Sequence, residues 1–128
     1  LPSPQKKGEK WLFPLGRIVR HNDFAMLSFT HFNDQNEAYI LAGEYEQCLL
    51  RMWTELRRVY AGEPIVLPLI GSGITDIEGI QEKDNTLLLR CILCTLRSSK
   101  LIPDAGVTVV LTDEVMETID MNIIREEF

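Results

Sequence analysis

The chain has 128 residues and a formal net charge of −6, with 13 Lys and Arg residues against 19 Asp and Glu residues. This length and a hydrophobic fraction of 45% predict a single globular domain with its own core and exclude an intrinsically disordered chain. The acidic excess argues against nucleic acid as a partner, because such binding depends on Lys and Arg that neutralise phosphates. A single small anion is compatible, since backbone N–H groups bind anions without a net positive charge.

The cysteine content and the apolar runs indicate the cellular compartment of the protein. Cys48, Cys91 and Cys94 are an odd number of cysteines in a core-rich chain, which is typical of a reducing compartment. No apolar run reaches the roughly 18 residues that cross a bilayer, and the sequence predicts no signal peptide. We therefore expect a cytoplasmic protein. Cys91 and Cys94 are expected to be buried and unreactive, and no metal site is expected, because further ligands at suitable spacing are missing.

The first half of the chain predicts a connector, a hairpin and a helix. Residues 1–10 have the composition of an exposed connector, and residues 11–128 form the predicted domain. The helix carries a single apolar stripe, which includes Met52 and Trp53 as core residues, and it ends before Gly62. In chain order the predicted elements are a β-hairpin of residues 11–19 and 24–30 around a turn at 21–23, a loop over 30–39 and the helix over 44–61.

The second half of the chain alternates strands and helices. Its two strands are apolar throughout, which is typical of parallel strands buried on both faces. The order β-β-α-β-α-β-α predicts an α/β fold in three layers, with a mixed, largely parallel sheet between helices. The predicted elements are a strand at 64–70, a glycine-rich turn at 71–79, a helix at 84–99 capped by Asp84, a turn at 103–106, a strand at 107–111 and an acidic helix at 113–125.

A Gly-Ser-Gly sequence follows the first apolar strand directly. Two glycines one residue apart let the backbone turn tightly, adopt positive φ and approach a ligand without Cβ atoms. Successive N–H groups can then converge on phosphate oxygens, and the hydroxyls of Ser72 and Thr75 could add donors. Gly71 and Gly73 thus predict either a phosphate-binding loop or a tight turn without a ligand. Spacing alone favours neither, and the sequence is not that of a P-loop.

Two further strand ends are candidate parts of the same site, since ligands of open α/β sheets bind beyond the carboxyl ends of strands. One is the polar segment that starts at Thr30, and the other starts at Thr112. His31 is predicted to form hydrogen bonds or to border a ligand rather than to act as a base. Phe32 could stack on a ligand ring or pack beneath its own loop. Asp76 and Glu78, which follow the glycine loop, are interpreted as solvated.

Three segments together resemble the macro-like domain of the Thoeris antiphage-defence effector family. They are Pro-Leu-Gly-Arg-Ile at 14–18, Phe-Thr-His-Phe-Asn-Asp-Gln-Asn-Glu-Ala-Tyr at 29–39, and the glycine loop with its preceding strand at 67–75. The loop resembles the second phosphate-binding loop of macro domains, in which a proline-containing apolar strand ends in G-[ST]-G. No counterpart of the first macro-domain loop precedes Trp11, so we expect either that the N-terminal part of the domain lies outside this chain or that this loop has diverged.

The resemblance implies a sensor of a nucleotide signal. In that family a TIR-domain enzyme makes an ADP-ribose derivative from NAD, for which a histidine conjugate of ADP-ribose is the expected form. The macro-like domain binds this signal without a catalytic residue, cofactor or metal, and it reaches the membrane only through segments outside this chain. The implied ligand-binding residues are Gly71, Ser72, Gly73, Ile74 and Thr75 around the diphosphate, and Thr30, His31, Phe32, Asn33 and Asp34 around the ribose or conjugated group. Thr112 is a further candidate because it follows the third strand end.

Two alternatives stay open beside the sensor, and a homo-oligomer is compatible with all three. A macro-type hydrolase would act on ADP-ribose adducts and release free ADP-ribose. A structural or oligomerisation domain would bind no nucleotide at all.

Overall fold

The computed structural model of the chain describes residues 3–8, 10–73, 75–80, 82–101 and 105–128. Within these residues the chain forms nine strands and four helices. The strands are β1 (Gln5–Lys7), β2 (Lys10–Leu12), β3 (Ile18–His21), β4 (Phe24–Leu27), β5 (His31–Phe32), β6 (Ala38–Leu41), β7 (Ile65–Pro68), β8 (Asp76–Glu78) and β9 (Val107–Val110), and the helices are α1 (Ala42–Val59), α2 (Asn85–Ser98), α3 (Asp113–Glu117) and α4 (Met121–Glu127).

The strands pair in four small sheets. β1 pairs with β2 and β3 with β4, both antiparallel, while β6 lies between antiparallel β5 and parallel β8. β7 and β9 form a separate parallel pair. The α/β class is therefore as expected, but the described strands form three antiparallel and two parallel pairs, so a largely parallel sheet in three layers is not confirmed. Short strands joined by tight turns pair with their neighbours in sequence, which favours antiparallel hairpins.

Helix α1 supplies much of the core, and its apolar stripe is confirmed. It begins two residues before its predicted start, because the Glu44 carboxylate accepts a hydrogen bond from the Leu41 N–H (3.1 Å) and satisfies a donor at the helix N-terminus. After α1 ends at Val59, the chain turns through Gly62 at a φ of 91°. The buried residues of the stripe are Tyr45, Cys48, Leu49, Met52 and Trp53.

Helices α1 and α2 meet through a polar contact inside the core. The Trp53 indole N–H donates to the Thr95 hydroxyl at 2.9 Å, and both side chains are buried. This hydrogen bond satisfies two polar groups that would otherwise be costly to bury. The inward face of α2 is centred on Leu88, Ile92 and Thr95, whereas Leu87 is 45% exposed.

Segments that the sequence predicts to be irregular contain strands. The loop predicted over 30–39 holds β5 and the start of β6, because the Asn33 side chain closes a tight turn by accepting hydrogen bonds from the N–H groups of Gln35 and Glu37, both at 2.9 Å. The glycine-rich turn predicted over 71–79 includes β8. Much of the connector predicted for residues 1–10 belongs to the β1–β2 hairpin, and the division of the chain at residue 10 stays a prediction.

The predicted hairpin is confirmed in a shorter form as β3 and β4, and the two apolar strands are confirmed as β7 and β9. The prediction that both strands are buried on both faces is wrong. Leu67 is buried, whereas Val66 and Val110 are 65% and 55% exposed. Alternate side chains of a strand point to opposite faces, and one face of the β7–β9 pair packs on the core. The turn predicted at 103–106 lies partly outside the described residues.

The acidic helix predicted over 113–125 is two helices, α3 and α4. The Thr112 and Asp120 side chains cap their respective N-termini, and a capping residue inside the segment ends one helix and begins the next. The Asp120 N–H also donates to the Thr86 hydroxyl at 2.9 Å, which anchors the start of α4 on α2. In the described parts of the chain, no helix combines the length and apolarity that crossing a bilayer requires.

Candidate functional site

The first glycine of the loop is packed against aromatic rings. Gly71 follows β7 with a φ of 91°, which is strained for residues that carry a Cβ. A Cβ built there would lie 3.1 Å from Tyr45 Cε2 and 3.5 Å from Phe29 Cζ. Glycine is therefore required both by the backbone conformation and by the close approach of the two rings.

Tyr45 and Phe29 form the surface on which the loop rests. Their rings meet edge to face, with centroids 5.9 Å apart. The Tyr45 hydroxyl donates to the Ile70 carbonyl oxygen at 2.6 Å, and burial raises the pKa of Tyr45, so the hydroxyl keeps its proton and acts as a donor. The first turn of α1 thus fixes the carboxyl end of β7 and the segment that leads from Phe29 into β5.

Ser72 turns inward rather than toward a ligand. Its N–H and its hydroxyl both donate to the Leu69 carbonyl oxygen, at 3.1 Å and 2.7 Å. The Ser72 hydroxyl is thus engaged by an intramolecular acceptor in this structure, and its role as a phosphate donor stays a prediction. The hydrogen bonds close a turn at the start of the loop.

The second glycine is open. Gly73 is exposed, and a Cβ built there would meet no atom within 4 Å. Positive φ was expected at both glycines, but Gly73 is outside that region. Ile74 lies outside the described residues, and Thr75 is half-buried just before β8. The space where a Gly73 side chain would lie is thus free without any change in side-chain packing.

The polar segment after Thr30 reaches the same edge of the structure as the end of the glycine loop. In the β5–β6–β8 sheet, Tyr39 is opposite both His31 and Asp76. Because β6 and β8 are parallel, the turn that joins β5 to β6 lies at the edge where β8 begins, immediately after Thr75. The two segments that the sequence proposes as parts of one site are therefore brought together by strand pairing.

His31 forms the predicted hydrogen bond. Its Nε2 lies 2.9 Å and 3.0 Å from the two carboxylate oxygens of Glu44, and its ring packs at a tilt against Tyr39, with centroids 5.2 Å apart. Burial alone would raise the pKa of Glu44, but the hydrogen bonds from His31 and the Leu41 N–H and the nearby positive charges outweigh it. The pKa of Glu44 consequently lies below its ordinary value.

The neighbours of His31 divide into structural and exposed residues. Asn33 is occupied by its own turn, where its amide also donates to the Glu37 carboxylate at 3.2 Å. Asp34 is exposed in that turn, and Thr30 is half-buried. Phe32 is 65% exposed, so of its two predicted roles, packing beneath the loop is wrong.

Thr112 lies beyond the carboxyl end of β9. Val110 is in register with Pro68 of the parallel strand β7, so Thr112 is at the same edge as the start of the glycine loop. Its hydroxyl oxygen accepts a hydrogen bond from the Val115 N–H at 3.2 Å and caps α3. The structure thus gives Thr112 a capping role at the site's border.

Three residues near the site have no counterpart among the predicted site residues. Tyr45 and Glu44 hold the two strand ends from the first turn of α1, and their place at the start of an amphipathic helix was the available signal. Lys83 donates to the Gly73 carbonyl oxygen at 2.7 Å across ten residues of chain. No local pattern could have found Lys83, because its contact depends on where α2 begins in space.

The three cysteines are free thiols. Burial raises the pKa of Cys48 to about 11 and that of Cys91 in the same direction, which keeps both thiols protonated and unreactive. Cys94 is exposed, so its predicted burial is wrong. Within the described stretches, no three His, Cys, Asp or Glu side chains are arranged to hold a metal ion.

The glycine turn at the end of a parallel strand, the polar hairpin edge and the first turn of α1 are compatible with the macro-type domain that the sequence resembles. Comparisons with known proteins agree with this class. A family model described as Thoeris protein ThsA, Macro domain, matches residues 2–112. The chain therefore belongs to the family of ThsA macro domains.

A curated relative supports the same assignment. The Thoeris protein ThsA of Bacillus amyloliquefaciens (strain Y2) is 32% identical over 99 residues, which cover 73% of this chain and 31% of the relative. The chain thus spans less than a third of that relative's length. The macro-domain and Thoeris resemblance of the sequence is confirmed, and the matched region includes every predicted ligand-binding residue and ends at Thr112.

Proposed function

We propose that this chain binds an ADP-ribose-type nucleotide, with the diphosphate at the open half of the glycine loop. The observation that carries the proposal is the contrast within that loop. Gly71 is held against Tyr45, while Gly73 is exposed with free space around it. A fixed support beside accessible backbone groups is suited to anion capture, because the supported half keeps its position while the open half contacts the ligand.

The proposed assignment differs from the sequence prediction, in which all five residues of the loop surround the diphosphate. Gly73 and the backbone up to Thr75 contact the diphosphate, while Gly71 and Ser72 shape the turn. On the hairpin side, exposed Phe32 stacks on a ring of the ligand, and Thr30 and His31 border the ribose or the group attached to it. Stacking on an exposed aromatic ring contributes apolar contact without a specific hydrogen bond.

We further propose that the ligand is a signal made from NAD by a TIR-domain enzyme, with a histidine conjugate of ADP-ribose as its form, and that binding serves antiphage defence. Membership of the ThsA macro-domain family supports this proposal. The three free cysteines support a reducing compartment, so we propose the cytoplasm as its location. Loop ordering by the ligand would shift a conformational or oligomeric equilibrium that other parts of the protein detect.

We propose binding without turnover. His31 is held by Glu44 through the nitrogen that faces the helix. A hydrolase is the second candidate, and the same pair favours it, since a histidine oriented by a carboxylate is one part of a general-base arrangement. The pair also has a structural explanation, because Glu44 accepts the Leu41 N–H at the start of α1.

A thermal-shift titration of the full-length protein tests the proposal. ADP-ribose, its histidine conjugate, cyclic ADP-ribose isomers, NAD and AMP would be compared. A ligand at 100 times its dissociation constant should add about 2.7 kcal/mol of stability, or several degrees in Tm for a domain of this size. The expected result is a larger shift with the conjugate than with ADP-ribose.

The other outcomes separate the alternatives. Chromatography would detect conversion of the conjugate to free ADP-ribose. Conversion that is lost in a His31→Ala variant would favour the hydrolase. Absence of a shift with every nucleotide would overturn nucleotide binding and leave the structural-domain alternative.

A further inference from the structure

Lys83 holds the half of the glycine loop that is otherwise open. Its ammonium donates to the Gly73 carbonyl oxygen at 2.7 Å. Lys83 directly precedes Asp84, whose carboxylate caps α2 by accepting hydrogen bonds from two helix N–H groups. The backbone that carries Lys83 is therefore fixed by the start of a helix of 14 residues, and its side chain bridges from α2 to the loop.

The surroundings of the Lys83 ammonium favour interaction with an anion in addition to the Asp76 carboxylate. Lys83 is half-buried. Burial lowers the pKa of Lys83, and the nearby Asp76 carboxylate opposes that shift. Partial removal from water strengthens the attraction between an ammonium and an anion, because the effective dielectric constant is lower than in bulk solvent. Asp76 begins β8, on the other side of the same loop.

We propose that Lys83 is the cation that neutralises the diphosphate at the glycine loop. This inference rests on the proposed function and adds a charged ligand-binding residue to it. An ammonium has three N–H donors, and the Gly73 carbonyl takes one of them, so a phosphate oxygen close to Gly73 can receive another. The loop is held and the ligand is bound by the same group.

Two properties of this loop favour a charged donor for an anionic ligand. Both donors of Ser72 are directed to the Leu69 carbonyl, which reduces the number of neutral donors that the loop offers to an anion. The Asp76 carboxylate, three residues after Gly73, repels a diphosphate. Lys83 offsets that repulsion, because its positive charge lies near both Gly73 and Asp76.

Isothermal titration of the full-length protein with ADP-ribose, and with its histidine conjugate, at two salt concentrations tests this proposal. Lys83→Met should weaken binding about tenfold, the effect of losing a hydrogen bond to a charged group, and should reduce the salt dependence of the dissociation constant. Lys83→Arg should stay within about threefold of the wild type, since the charge is kept. Lys100→Met is the matched control, because it removes the same charge from an exposed site beyond the other end of α2.

Further variants distinguish charge from loop support. Asp76→Asn should tighten binding several-fold, because repulsion is removed while Lys83 stays in place. If Lys83→Met unfolds in a thermal scan while Lys100→Met does not, the Asp76→Asn result and the salt dependence of Lys83→Arg carry the test. Equal affinity and equal salt dependence in the wild type and Lys83→Met would overturn the role of Lys83 alone. Absence of binding in the wild type would overturn the proposed function, and this inference with it.

Discussion

The two glycines of the loop differ more than their shared residue type suggests. Gly71 has positive φ and lies against the rings of Tyr45 and Phe29. Gly73 has open space around it and is connected to the rest of the protein through the Lys83 ammonium. The first glycine is required by the fold, whereas the second leaves backbone available for a ligand. A single motif therefore joins a structural half and a binding half.

The difference arises from what lies beneath each half. The start of the loop follows β7, of which one face packs on the core, and crosses the first turn of α1, where Tyr45 donates to Ile70. The end of the loop passes through exposed Gly73, which has free space around it, and enters β8. Substitutions on the packed side should affect the free energy of unfolding, and those on the open side should affect affinity.

Gly71→Val should have the largest effect on stability. A branched side chain would adopt an unfavourable backbone conformation and overlap the Tyr45 ring. We expect a loss of about 3 kcal/mol and a fall in Tm of about 10 °C, measured by thermal and denaturant unfolding. A change below about 0.5 kcal/mol would contradict the packed environment assigned to Gly71.

Tyr45→Phe should have the next largest effect. The change keeps the edge-to-face contact with Phe29 but leaves the Ile70 carbonyl without its 2.6 Å hydrogen bond. We expect a loss of about 1 kcal/mol in denaturant unfolding. Tyr39→Phe, at a half-buried position on the other side of His31, is the control and should be closer to neutral. Equal effects would show that the Ile70 contact contributes nothing specific.

Glu44→Gln should change how stability depends on pH. Because the pKa of Glu44 is lowered in the folded protein from an ordinary value of 4.5, the charged carboxylate contributes stability above about pH 4.5, and this contribution is lost as the pH falls through the folded pKa. The wild type should lose up to about 1 kcal/mol more than Glu44→Gln on acidification, a modest value because the side chain is 31% exposed. Parallel denaturation series at several pH values would measure it, and superimposable pH profiles would contradict it.

Gly73→Val should have the smallest effect on stability and a large effect on binding. A side chain there meets no protein atom, so we expect a stability change within about 0.5 kcal/mol. The same side chain would occupy the space proposed for the diphosphate and should weaken ADP-ribose binding at least about tenfold. Calorimetry on the folded variant measures this, and an unchanged affinity would remove the open half of the loop from the site.

Local patterns were sufficient for the long helices and for the glycine loop. The spacing of Tyr45, Cys48 and Met52 predicts the buried face of α1, and Asp84 predicts the start of α2. These features depend on residues a few positions apart, so the sequence displays them directly. The family was also identified from three segments whose order and spacing match the macro-like domain.

Other features depend on residues that are distant in the chain. The pairing of β6 with β8 joins residues almost forty positions apart, and the polar segment 30–39 does not reveal that partner. The exposure of one face of β7 depends on what packs against it, and an apolar run such as 64–70 does not reveal that. The final helix is broken, and the start of its second part, α4, is held by the hydrogen bond that the Asp120 N–H donates to the Thr86 hydroxyl.

The amino-acid order thus accounts for a macro-type domain with a glycine loop after an apolar strand. The different duties of its two glycines follow from tertiary contacts, because the Tyr45 ring lies beneath Gly71 and the Lys83 ammonium lies beside Gly73. Nothing in Gly-Ser-Gly distinguishes the two positions. Distances of 3.1 Å to a ring and 2.7 Å to an ammonium arise only after α1 and α2 have packed together and brought separate stretches of chain to one edge.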